Sequence, residues 1–120
     1  LDVATHRDIN FRPSDIEQLK AANNRETQFA LDLVNFSAGR GFQSYTVLID
    51  STAIAAAIDP TLIQYQTIHV DIETQGELTR GQTVTDIRDN FRWTHLPSIN
   101  AAYNADFGGF LDLVVSILTR

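Results

Sequence analysis

A mixed α/β fold is predicted by three observations. Apolar residues recur at helical spacing in several windows, Tyr65 to Glu73 alternates as a half-buried strand does, and a turn-rich stretch leads from it into a second β-prone run. The 120 residues fit one domain, and 43% hydrophobic against 20% charged residues is the balance of a globular chain.

Taken in order, Leu1 to Thr5 alternates apolar and polar residues, which predicts a short strand running into a polar loop that continues to Pro13. Ser14-Asp15-Ile16-Glu17 has the spacing of a capping box, with the Ser14 hydroxyl accepting from the Glu17 N–H. A short helix with Ile16 and Leu19 on its apolar side is expected to follow and to end at Asn23-Asn24. Phe29, Ala30, Leu33, Val34 and Phe36 predict a second amphipathic helix over residues 25–37, broken by Ala38-Gly39-Arg40-Gly41. Tyr45 to Ile49 is apolar and β-prone and stops at Asp50. Ser51 to Ile58 predicts a compact helix of small residues, ended by Asp59-Pro60, since a residue before proline avoids helical angles.

In the alternating stretch, Ile68, Val70 and Ile72 share one face, and Thr67, His69, Asp71 and Glu73 share the other. Residues 75–81 read as a hairpin-like connection to a second strand at Thr83 to Arg88, and Ile99, Ala101 and Tyr103 suggest a third. Asp106 is placed to cap a final helix carrying Phe107, Phe110, Leu111, Val114, Ile117 and Leu118.

Composition excludes several functions. Nine basic side chains, with Lys20 the single lysine, face fifteen acidic ones, a net charge of −6 that offers no footprint for nucleic acid. No apolar run approaches the roughly 18 residues of a membrane-spanning helix. Cysteine is absent, so disulfide frameworks and thiolate metal sites are excluded. No Gly-x-Ser-x-Gly, P-loop or Gly-x-Gly-x-x-Gly pattern occurs, and Gly39-Arg40-Gly41 is too short to cradle phosphate.

Among single residues, Asp50 stands out, because it lies where a strand-like run gives way to a helix. A carboxylate there either caps the helix, ligates a hard cation such as calcium, or does both. Strand alternation puts Asp71 and Glu73 roughly 6–7 Å apart on one side. That separation is comparable to a glycosidase carboxylate pair, and equally to any solvated strand face. His6, His69 and His95 are scattered without metal-ligand spacing. Phe36, Phe42 and Tyr45 are placed either to flank a planar ligand or to fill the core.

Three stretches together resemble the calcium-dependent inosine/uridine-type nucleoside hydrolases. Leu1-Asp2-Val3-Ala4-Thr5-His6 is similar to the family's Leu-Asp-Val-Thr-His, with Ala4 inserted. Asp50 to Pro60 looks like the family's His-Asp-Pro-x-Ala-x-Ala stretch closing in Ile-Asp-Pro. Val70-Asp71-Ile72-Glu73-Thr74-Gln75-Gly76-Glu77-Leu78-Thr79-Arg80-Gly81-Gln82-Thr83-Val84 is close to a family signature and is the most specific of the three.

The resemblance implies that residues 1–120 are the C-terminal part of a nucleoside-hydrolase fold, Rossmann-like with a mixed sheet, a β-hairpin and a C-terminal helix. The family's N-terminal Asp-Thr-Asp-x-Gly-x-Asp-Asp cluster is absent here, so activity is expected to need an N-terminal segment, whether a separate chain or one lost from this one. The implied activity is hydrolysis of a ribonucleoside to base and ribose, with Ca2+ as cofactor and Asp50 as a calcium ligand. The position before it, often His or Trp in the family, is Ile49, which cannot donate a proton, and Ser51 stands for the usual Pro. The loop from Glu77 to Val84 carries no assigned catalytic role, with Arg80 expected to pair locally. Implied partners are the missing N-terminal segment and further copies in a homo-oligomer, a dimer or tetramer, with cytoplasmic location the default. The isolated chain is expected to be inactive; the alternative is a non-catalytic remnant serving as an assembly or binding module.

Overall fold

The computed structural model describes residues 3–86 and 95–120. It has four α-helices, α1 (Pro13–Ala22), α2 (Arg25–Gly39), α3 (Ile49–Ile58) and α4 (Phe107–Leu118). Its strands are β1 (Ile63–Ile72), β2 (Thr83–Asp86) and β3 (Ser98–Ala105), in one sheet ordered β2-β1-β3. The mixed α/β expectation holds, with the hairpin and the C-terminal helix where the sequence placed them. Two compact units divide the chain: a helical one of residues 2–64 and 104–120, and a sheet unit of residues 65–103.

In the helical unit, α1 begins two residues earlier than the Ser14 cap requires. Pro13 occupies the first turn, where its missing N–H costs nothing, and Arg12 is the N-cap. The Arg12 N–H donates to Asp15 Oδ2 at 2.8 Å, so Asp15 closes the capping box and Ser14 does not. Asn23 ends the helix in the left-handed region (φ 48°), its N–H donating to the Leu19 carbonyl. Asn24 caps α2, with Oδ1 accepting from the Thr27 N–H while Thr27 Oγ1 accepts in return.

Two predicted strands are corrected. Residues 3–5 form a 3-10 turn rather than a strand, and residues 1–2 lie outside the described residues. Ser44–Val47 is also a 3-10 turn, and α3 starts at Ile49, before the predicted Ser51. A five-residue apolar run is ambiguous by period, and a strand needs a neighbour to satisfy its N–H and C=O groups. Here the Leu48 carbonyl accepts from the Thr52 N–H at 3.1 Å, and the backbone satisfies itself as a helix.

The helical core gathers Ile9, Leu48, Ala55, Leu62, Phe110 and Leu111. Asp106 caps α4 by accepting from the Gly109 N–H at 2.9 Å, and its own N–H donates to the Leu62 carbonyl at 2.8 Å. That bond seats the first turn of α4 on Leu62: a Cβ at Gly109 would lie 3.0 Å from Leu62 Cδ2 and 2.7 Å from Asp106 Oδ2.

In the sheet unit, β1 and β2 are antiparallel, with Ile72 opposite Thr83 and His69 opposite Asp86. The connection closes through the Gly81 N–H to the Glu73 carbonyl (2.7 Å) and the Glu73 N–H to the Gln82 carbonyl (3.0 Å). Gly81 has φ +88°, a conformation that side chains disfavour, which accounts for glycine at this point in the turn. The predicted second strand reaches Asp86; its last residues, 87 and 88, lie outside the described ones. Opposite, the Thr67 hydroxyl on β1 donates to Asn100 Oδ1 on β3 at 2.8 Å.

Candidate functional site

Asp50 sits in the first turn of α3, whose N-cap is Leu48, so the expectation that Asp50 is the N-cap is corrected. Its carboxylate is exposed and takes no hydrogen bond from the described residues. A carboxylate in the first helical turn contributes about 0.3–1 kcal/mol against the positive end of the helix dipole. The helix behind it is fixed by the buried Thr52, whose hydroxyl donates to the Leu48 carbonyl at 3.1 Å, and by Ala55 in the core. Asp50 therefore projects an uncommitted hard oxygen donor from a held backbone, which fits one ligand of a calcium ion. Among the described residues, no group of three or more His, Cys, Asp or Glu side chains converges to complete such a site. Ile49, half-buried beside it, brings no titratable group.

Asp71 and Glu73 do not form a carboxylate pair. β1 ends at Ile72, so Glu73 leaves the strand face and turns into the connection. Glu73 Oε1 accepts from the N–H groups of Gln75 (2.7 Å) and Gly76 (2.9 Å), which hold the carboxyl below the usual range. Asp71 Oδ1 accepts from the Ile72 N–H. Glu73 serves the turn, and Asp71 serves its own neighbour on the strand.

The histidines stay apart in role. His6 stacks on Phe107 with ring centroids 4.5 Å apart, and its Nδ1 accepts from the Asp8 N–H. His69 Nδ1 lies 2.9 Å from the Leu96 carbonyl, and His95 is exposed on a turn. Phe36 and Phe42 are not core residues: they are 62% and 57% exposed, with the Arg40 guanidinium 4.8 Å above the Phe36 ring. The Tyr45 side chain lies outside the described ones.

The sequence reading missed Arg12. Its side chain donates to both Asp15 oxygens through Nε and Nη2, and Nη2 also donates to Asp112 on α4. Asp15 is fully buried; that raises its pKa, but the Arg12 side-chain and backbone hydrogen bonds outweigh burial and hold it below the usual carboxylate range. The folded-state value lies under the unfolded one, so this contribution is present above about pH 4 and is lost as pH falls through the lowered folded value. Asp15→Asn is expected to cost about 1–3 kcal/mol at pH 7. Urea unfolding should show the gap between wild type and variant narrowing at pH 3; an equal gap at both values would refute the role of the charge. Only the Arg12–Asp15 spacing was visible in the sequence, since Asp112 lies 100 residues away.

The α/β architecture of the chain matches solved nucleoside hydrolases. A plant nucleoside hydrolase superposes with a TM-score of 0.71 at 20% identity, covering 94% of this chain and 38% of that one. The purine-preferring ribonucleoside hydrolase of Gardnerella vaginalis gives 0.63 at 22% identity, over 92% of this chain and 35% of that one. At these identities the likeness defines the fold.

The sequence comparisons go further. The model of the family "Inosine-uridine preferring nucleoside hydrolase" matches residues 1–112, and the chain belongs to that family. It is 30% identical over 112 residues to the inosine-uridine preferring nucleoside hydrolase of Crithidia fasciculata, covering 90% of this chain and 35% of that protein. To the pyrimidine-specific ribonucleoside hydrolase RihA of Shewanella sp. strain MR-7 it is 34% identical over 125 residues, covering 98% and 37%. The chain thus spans little more than a third of the length of these curated relatives. Among the described residues no helix is long and apolar enough to cross a membrane.

Proposed function

We propose that the protein carrying this chain hydrolyses the N-glycosidic bond of ribonucleosides, and that residues 1–120 supply Asp50 as a calcium ligand together with the scaffold that holds it. The observation that carries this reading is the family match over residues 1–112, which includes Asp50 and the whole 70–84 run. The names of the relatives support a ribonucleoside substrate.

In the reaction the bond from the anomeric carbon to the base nitrogen breaks through an oxocarbenium-like ribose. A water oxygen bonds to that carbon, and the base nitrogen takes a proton. Positive charge to bind sugar hydroxyls and to acidify water is what calcium supplies when bound. Calcium takes six to eight oxygens, and Asp50 offers at most two. The remaining ligands must come from a complementary N-terminal part of the fold, and the complete enzyme is proposed to act as a homo-oligomer. Ile49 moves no proton, so assistance to the leaving base must come from another position. That same residue favours the second reading, a non-catalytic assembly module.

Ribose release from inosine and uridine tests the proposal. The chain alone is expected to release none. Co-expressed with the segment of Shewanella RihA that lies outside its match to this chain, it is expected to release ribose, abolished by EDTA and restored by calcium. Release by the chain alone would overturn the division of ligands, and no release from the pair would overturn the reading.

A further inference from the structure

Asp50 accepts no hydrogen bond from the described residues, so the backbone turn that carries it sets its direction. That turn is held from one side. Leu48, Thr52 and Ala55 are all buried, and Leu48 and Ala55 belong to the core cluster with Ile9, Leu62, Phe110 and Leu111. At about 100° per residue, positions 48, 52 and 55 fall within roughly 60° of one another around α3, and position 50 falls on the opposite side. The anchored stripe therefore points Asp50 away from the core.

Within that stripe Thr52 is an unexpected choice. Its neighbours along α3 are Ala53, Ile54, Ala55, Ala56 and Ala57, whereas threonine is a weaker helix former and brings a hydroxyl that must find a partner when buried. Thr52 Oγ1 donates to the Leu48 carbonyl at 3.1 Å, and the same carbonyl accepts from the Thr52 N–H at 3.1 Å. The N–H alone satisfies that carbonyl. Valine would fill the same space and leave no group unpaired, so the hydroxyl is not needed for stability. What the second donor adds is direction. A hydroxyl bonded to the carbonyl four residues earlier tilts that peptide group, and with it the turn between them. Asp50 lies midway in this turn, two residues from Leu48 and two from Thr52.

We propose that Thr52 is a positioning residue for Asp50: its hydroxyl sets the orientation of the first turn of α3, and so the direction in which the Asp50 carboxylate meets calcium. The proposal rests on the reading of Asp50 as a calcium ligand and extends it to a side chain that does not touch the metal. Groups that orient a metal ligand are typically worth about 10–100-fold in affinity. Thr52 acts through the backbone rather than through a bond to the carboxylate, which places it at the lower end.

Two substitutions separate direction from packing. Thr52→Val keeps the shape and removes the hydroxyl; Thr52→Ser keeps the hydroxyl and removes a methyl group. In the co-expressed pair, the valine variant is expected to bind calcium about 10-fold more weakly by calorimetry, with its melting point within a few degrees of wild type. The serine variant should do the reverse. Its calcium affinity should stay within about twofold of wild type while its melting point falls, because a buried methyl is gone. Wild-type affinity in the valine variant would overturn the proposal. Equal loss of affinity in both variants would overturn it too, since methyl packing would then be the cause. A valine variant that loses affinity and melting point together would make Thr52 a structural residue only. A wild-type pair that binds no calcium would instead overturn the assignment of Asp50 itself, an outcome that no result from the two variants imitates.

Discussion

Asp50→Ala in the co-expressed pair is expected to weaken calcium binding on the order of 100-fold or more, with ribose release falling in parallel. Removing one charged ligand from a site that needs six to eight oxygens leaves water to replace it, without its charge. Asp50 is exposed and accepts no hydrogen bond from the described residues, so folding should be nearly indifferent to the change. The stability cost should stay under about 1 kcal/mol, the scale of a first-turn carboxylate against a helix dipole. Calorimetric calcium titration beside urea unfolding separates the two effects. Unchanged affinity and turnover would remove Asp50 from the metal site; a large loss of stability would make it a structural residue instead. Asp50→Asn keeps the oxygen and loses the charge, so it should fall between wild type and alanine.

Phe110→Ala should have the largest effect on folding. Phe110 is 2% exposed in the core cluster with Ile9, Leu48, Leu62 and Leu111, on a helix whose first turn is tied to Leu62. Truncating a buried phenylalanine costs about 3–5 kcal/mol through lost burial and the cavity left behind. A small domain has only about 5–15 kcal/mol in total. The loss is a large share of that total, so the variant should melt far lower or without a cooperative transition. Thermal denaturation followed by circular dichroism reads this directly; a variant melting within a few degrees of wild type would show that the core tolerates the cavity. Truncation of the exposed Leu78 should leave the melting point unchanged.

How much of this was legible in the sequence depends on the range over which each signal acts. The hairpin was readable because alternation from Tyr65 to Glu73, a glycine at position 81 and a β-prone run after it are all local. The Asp106 cap and the apolar repeat of the last helix were readable for the same reason. Asp50 was readable as a candidate through the motif around it, although its neighbours suggested the N-cap position, which Leu48 occupies without a side-chain hydrogen bond. Glu73 looked like half of a carboxylate pair because alternation was carried one residue past the end of β1. The backbone N–H groups of the turn claim its oxygen, and strand period cannot anticipate that competition.

α2 shows the limit most clearly. Its apolar period was read correctly, yet Thr27 and Ser37 are its buried residues while Phe29 and Phe36 stay exposed. Periodicity states that a stripe exists; which stripe is buried depends on the segments that surround it. The sequence by itself determined the α/β class, the helices and hairpin, the family and the candidacy of Asp50, all carried by local spacing and motif. Only the tertiary structure decided that the run from Tyr45 to Ile49 turns into a helix start, that Arg12 joins α1 to α4 through Asp112, and that the α2 and α3 faces are left open. Those outcomes depend on burial and on partners far apart in the chain, and a short run takes its conformation from whichever neighbour is there to satisfy its backbone.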